Sequence, residues 1–118
     1  MLAWIRSNIG SPESPSPTTC YFIEGFQECA YFHAAVNHAE QLEQYEQARG
    51  APLNTIRVHT QVTPRDEWGS RVDQLRKSIP GATADHTTSP FIYEGCDANM
   101  RQFIGGYMAF KKRARPSR

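Results

Sequence analysis

At 118 residues, 39% apolar and 21% charged, the chain is long enough for one packed core and too short for two. Thirteen basic against twelve acidic residues leave a formal charge of +1, so no overall field points to nucleic acid, a membrane surface or an acidic partner. The opening MLAWIRSNIG has too few apolar residues for a secretory leader or a membrane span, which predicts a soluble, intracellular protein. Cys20, Cys29 and Cys96 are odd in number and irregular in spacing. That argues against a disulfide framework, leaves room for one functional thiol and fits a reducing, cytoplasmic setting.

The segment GSPESPSP, residues 10–17, alternates serine and proline and predicts an extended linker, so residues 1–17 are expected to be a flexible segment. The domain is expected over residues 18–112, followed by a basic tail over 113–118 that reads as a solvated helix end. TCYFIEG is a short apolar run closed by Gly25 and predicts the first strand. From Cys29 to about Ala48, Phe32, Ala35, Val36, Ala39 and Leu42 recur at helical spacing, with Gly50 as a stop. NTIRVHTQV alternates Ile56, Val58 and Thr60 with polar residues and predicts a second strand. A second helix is predicted after it. Thr63 is suited to cap it, Pro64 to its first turn, and Asp66 and Glu67 to its positive end, while Trp68, Val72, Leu75 and Ile79 form its apolar stripe. SPFIYEG and RQFIGG read as a hairpin, and YMAFKKRA as a short last helix. The expected order is βαβαββα, an α/β fold with a four-stranded mixed sheet flanked by helices, because a βαβ unit pairs its strands in parallel and a hairpin does not.

In such sheets a site lies beyond a strand's carboxyl end, where the next helix begins. Cys29 occupies that junction. The unpaired N–H groups and partial positive charge of a helix start favour the thiolate, the nucleophilic form of cysteine. The plainer alternative is a small buried hydrophobe. No Cys-x-x-Cys or His-x₃-His pair suggests a metal, and His33, His38, His59 and His86 have no evident ligand set. His33, one helical turn after Cys29, is either a nearby imidazolium or an ordinary histidine.

Three stretches in order, CAYF (Cys29 to Phe32), TSP (Thr88 to Pro90) and FIGGY (Phe103 to Tyr107), resemble the active-site, cis-proline and glycine-pair motifs of glutaredoxins. The resemblance covers roughly residues 18–112 and implies a thioredoxin-like fold. It also implies glutathione-dependent thiol–disulfide oxidoreductase activity, with glutathione as co-substrate and glutathionylated or disulfide-containing proteins as partners. Cys29 aligns with the nucleophile. Tyr31 aligns with an aromatic lining the glutathione site, and Ser89 and Pro90 with the cis-proline loop facing the cysteine. Gly105 and Gly106 align with the pair that lets the chain pass close to the ligand. A monomer, no nucleic acid and no membrane are expected.

Several positions depart from the family pattern. Phe32 stands where a second cysteine is frequent, so the chemistry is expected to be monothiol. Cys20 is expected at the far end of the sheet and Cys96 in the hairpin loop, both away from Cys29. Phe26 replaces a frequent lysine, and Glu28 places a carboxylate beside the thiol. The acidic residue common after the glycine pair is absent, with Tyr107 and Met108 in its place. Arg71, Arg76 and Lys77 are available either for a glutathione carboxylate or as an ordinary solvated helix face. Two alternatives follow: a non-catalytic interaction module that kept the fold, and a glutathione-assisted iron–sulfur carrier, for which CAYF differs from the usual Cys-Gly-Phe-Ser.

Overall fold

The computed structural model describes residues 18–48 and 55–115. The expectations for residues 1–17, for the Gly50 stop and for the last three residues of the tail lie outside them. Four strands, β1 (Thr18–Gly25), β2 (Thr55–Val62), β3 (Phe91–Glu94) and β4 (Gln102–Gly105), alternate with α1 (Ala30–Ala48), α2 (Trp68–Ser78) and α3 (Tyr107–Arg113). The sheet order is β2-β1-β3-β4. β1 and β2 run parallel over eight pairs from Thr18 opposite Thr55 to Gly25 opposite Val62. β3 is antiparallel to β1 and to β4, with a register shift between Ile92 and Tyr93. The protein is therefore α/β, with a mixed sheet containing one parallel pair and with three helices.

Alternation along the strands divides the core into two layers. Tyr21, Ile23, Ile56 and Ile92 meet Phe32, Ala35, Ala39 and Leu42 of α1 and Phe110 of α3 on one face. Phe91 and Tyr93 meet Trp68, Val72, Leu75 and Ile79 on the other. The stripe expected for the second helix is thus the surface it buries. Small residues on α1 bring that helix close to the sheet, whereas the α2 side is filled with rings. Phe22 stacks between His59 and Tyr93, with centroids 4.8 and 5.0 Å away.

The entry to α2 differs from expectation. A 3-10 turn, Arg65–Glu67, precedes it, and neither Pro64 nor Glu67 supplies a side-chain cap. Thr63 is buried, and its N–H donates to the Gly25 carbonyl at 2.8 Å. It extends the β1–β2 ladder by one bond instead of capping the helix.

The cysteine expectation is also corrected. Cys20 and Cys96 form a disulfide with Cα atoms 4.9 Å apart, across a sequence separation of 76. Irregular spacing gave no hint of it because the pairing is made by the sheet: β3 lies beside β1, and the Gly95 N–H donates to the Cys20 carbonyl at 2.9 Å. Gly95 has φ +128, and a Cβ there would sit 2.6 Å from the Met100 carbonyl oxygen, so the tight loop that presents Cys96 needs glycine. The disulfide removes the argument for a reducing compartment, since such bonds persist under oxidising conditions. Among the described residues, no helix is long and apolar enough to cross a membrane.

Candidate functional site at the start of α1

β1 ends on Gly25, and α1 begins five residues later, at Ala30. The Cys29 N–H donates to the Phe26 carbonyl at 3.1 Å, closing the turn, and the Cys29 carbonyl accepts from His33 N–H at 3.3 Å, starting the helical ladder. Cys29 thus sits at the mouth of the helix, where first-turn N–H groups lack intrahelical partners. It is the free cysteine among the described residues and is partly buried.

The loop before β3 closes over this turn. The Ser89–Pro90 peptide bond is cis. The Cys29 thiol donates to the Ser89 carbonyl oxygen at 3.3 Å, and the Phe26 N–H donates to Ser89 Oγ at 3.3 Å. Pro90 is fully buried and Ser89 nearly so. The loop is further held by Trp68, whose Nε1–H reaches the Thr87 carbonyl at 3.2 Å, and by Arg76, which donates to the His86 carbonyl at 3.1 Å.

A cleft of about 320 Å³ opens beside this contact, lined by Tyr31, Thr88, Ser89, Pro90, Tyr107 and Met108 together with Gly106 and Ala109. That volume lies at the small end of the range for small-molecule sites. Tyr31 is 62% exposed and so is not a core tyrosine, and its ring lies 6.2 Å from that of Tyr107. Gly105 has φ +138, a backbone that disfavours any side chain, and a Cβ there would meet Ala109 Cβ at 2.9 Å. Gly106 is looser: a Cβ would stand 3.7 Å from His86 and 3.8 Å from the Pro90 carbonyl oxygen. The structure therefore brings Tyr31, Ser89, Pro90 and Gly106 to one cleft, sets Cys29 against its Ser89 wall, and leaves Gly105 as the turn behind it.

Phe32 is 3% exposed and packs inward. His33 donates its Nε2–H to the Gln27 carbonyl at 2.6 Å and so braces the turn before Cys29. The cations of α2 are engaged within the chain. Arg71 makes a two-pronged bond to Glu24, at 2.7 and 2.8 Å, and Arg76 and Lys77 both pair with Asp73, at 2.9 and 3.1 Å. The Glu24 hydrogen bond drives Arg71 above its ordinary pKa, and the Lys77 bond is the main cause that lowers Asp73. Glu24 also accepts from Tyr93 Oη at 2.8 Å, so a 3% exposed carboxylate at the end of β1 has three donors. Burial, then the Glu24 bond, raises Tyr93 above its ordinary 10.0.

Two contributors to this site had no motif to announce them. Gly25 ends β1 where a Cβ would lie 2.4 Å from Ser89 Oγ and 2.5 Å from the Phe32 ring, so the absence of a side chain lets the Ser89 loop approach. Arg65 lies over the Phe26 ring at 5.2 Å, which brings a cation to the turn before Cys29. A glycine at a strand end was the available signal for the first; the second depends on tertiary placement. Among the described residues, no group of His, Cys, Asp and Glu is arranged to hold a metal. Comparisons with protein-family models, with curated proteins and with solved structures found no match.

Proposed function

We propose that the protein is a thioredoxin-like oxidoreductase of glutaredoxin type, which exchanges disulfides through Cys29 alone with glutathione as co-substrate. One observation carries the reading: a thiol at the start of a helix is held 3.3 Å from the carbonyl of Ser89, sixty residues away in sequence, at the wall of an open cleft. A structural cysteine needs neither the helix start nor the cleft.

The chemistry begins with the Cys29 thiol losing its proton to solvent. The thiolate attacks the glutathionyl sulfur of a mixed disulfide between glutathione and a protein. A bond forms between Cys29 Sγ and that sulfur, the original disulfide breaks, and the protein thiolate leaves to take up a proton. A second glutathione, as thiolate, attacks the glutathionyl sulfur on Cys29. Oxidised glutathione departs, and the Cys29 thiolate is restored. Phe32 offers no sulfur to intercept the adduct, so the cycle is monothiol. The Ser89 backbone at the cleft wall and the Tyr31 and Tyr107 rings supply polar groups and an apolar wall for the tripeptide. Lys111, whose Nζ lies 5.9 Å from the Tyr107 ring centre, is a cation near that wall.

The test is mass spectrometry after exposure to oxidised glutathione. A single glutathione adduct on Cys29 that is absent from Cys29→Ser is the expected result. An unmodified Cys29 beside an intact Cys20–Cys96 disulfide would reject the reading and leave a non-catalytic interaction module.

A further inference from the structure

The surface of α3 continues past the cleft, and it is not an ordinary solvated helix end. A groove of about 770 Å³ runs between α1 and α3, lined by His38, Met108, Lys111, Lys112, Ala114 and Arg115 with Ala109. Met108 and Ala109 also line the cleft beside Cys29, so the two depressions adjoin. Past His38 a smaller hollow of about 250 Å³ continues along Gln41, Leu42 and Tyr45. The floor is built. The His38 Nε2–H donates to the Ala114 carbonyl at 2.7 Å, and its ring stands edge-on to the fully buried Phe110 at 5.5 Å.

Charge in this groove has one sign. Its lining holds three cations and no carboxylate. Elsewhere Arg71, Arg76, Lys77 and Arg113 each pair with a carboxylate. Lys111, Lys112 and Arg115 meet none among the described residues: Lys111 lies over Tyr107, and Arg115 donates to the Lys112 carbonyl at 3.1 Å. Cations in a last helical turn favour the helix by themselves, but that does not account for the large apolar side chains exposed along the same path. Met108 is 68% exposed, Tyr31 62% and Tyr45 45%. Apolar anchors ringed by unpaired cations match a peptide with the opposite charge. The near-zero net charge of the whole chain conceals this local excess.

We propose that the α1–α3 groove docks an acidic, apolar-anchored segment of a glutathionylated protein substrate, so that its glutathionyl group enters the adjoining cleft and presents its sulfur to Cys29. This assignment of the partner rests on the oxidoreductase reading above. A peptide is favoured over a lipid surface or nucleic acid because the groove is concave, partly apolar and adjoins the cleft whose Ser89 wall the thiol touches.

The experiment uses the full chain and a fluorescent nonapeptide of alternating Glu or Asp and Leu or Met, without cysteine, beside a twin carrying Gln and Asn. Anisotropy is expected to show the acidic peptide binding about tenfold more tightly at low salt, a preference that fades as salt screens the charges. Lys112→Glu with Arg115→Glu is expected to abolish the preference, and Lys112→Gln with Arg115→Gln to weaken it. Both pairs are expected to lower melting temperature only slightly, because the end of α3 loses cations, and neither is expected to alter the turnover of a small synthetic disulfide. Equal affinity for the two peptides, or a preference untouched by both double variants, would overturn the proposal. So would tighter binding of an oligonucleotide or of anionic lipid vesicles lost in the same variants, or self-association abolished by them. The peptide carries no sulfur and is expected to bind Cys29→Ser equally well, so a failure of docking and a failure of the chemistry are read separately.

Discussion

Cys20 near the start of β1 and Cys29 four residues past its end belong to one strand path, yet their surroundings differ completely. At the first end the β3–β4 loop returns to β1 and brings Cys96 within bonding distance, so both sulfurs are consumed in a cross-link. At the second end the returning segment is the loop before β3, and what it presents to Cys29 is the Ser89 carbonyl. The nearby Phe32 turns into the core. The same residue type is cross-linked at one end of the sheet and a free thiol at the other. The difference lies in which atom the neighbouring segment places opposite it.

The contrast is broken most severely at the open end. Cys29→Ser should lower glutathione-dependent disulfide exchange by about a thousandfold or more, since serine is a far weaker nucleophile at neutral pH, while the melting temperature stays near wild type. A coupled turnover assay beside a thermal melt checks both halves. Loss of stability comparable to a core substitution would instead mark Cys29 as packing.

The cross-linked end should respond in the opposite way. Replacing Cys20 with alanine and Cys96 with serine frees a loop spanning 76 residues of sequence and should cost about 2–5 kcal/mol in stability. Exchange activity below the new melting point should persist. Denaturant titration read with the turnover assay measures the two together, and a parallel loss of activity would mean that the two ends are not separable.

Gly25→Ala sharpens the comparison from within β1. Its methyl group would meet Ser89 Oγ and the Phe32 ring, so a cost of about 1–3 kcal/mol is expected, together with a several-fold fall in exchange as the Ser89 wall moves from Cys29. Circular-dichroism melts and steady-state kinetics separate the two effects.

The smallest expected effect is at Tyr93. Burial, then the Glu24 bond, raises its pKa above 10.0, so the folded protein keeps a proton that the unfolded chain releases. The stability it contributes is complete below pH 10 and is lost as pH rises further. Tyr93→Phe should cost about 1 kcal/mol at neutral pH by removing one donor from Glu24. It should also flatten the alkaline fall in melting temperature. Tyr21, raised by burial and by Glu94, leaves a residual slope. An unchanged alkaline slope would show that the Glu24 network does not control Tyr93.

Much of the architecture was legible. Phe32, Ala35, Ala39 and Leu42 mark the buried face of α1, and Trp68, Val72, Leu75 and Ile79 that of α2, because both are periodic signals within one segment. The junction placing Cys29 at a helix start was legible for the same reason. The Thr63 cap failed because the chain enters α2 through the 3-10 turn Arg65–Glu67, which puts Glu67 and not Thr63 at the cap position. Of the α2 cations, Arg76 and Lys77 pair with Asp73 on their own helix as a helix face does, while the carboxylate that engages Arg71 lies on β1, 47 residues away, where no local pattern reports it.

The sequence by itself determined the succession of strands and α-helices, though not the 3-10 turns, since periodicity, prolines and glycines act over a few neighbouring residues. It also determined that no second sulfur stands beside Cys29 in the helix. Only the tertiary structure decided that β3 packs next to β1. That one adjacency joins Cys20 to Cys96, sets the Ser89 carbonyl against the Cys29 thiol and buries Glu24 beneath Arg71 and Tyr93. Each of these contacts spans between 47 and 76 residues of chain. Distances of that length are fixed by how whole layers pack, and no local propensity encodes them.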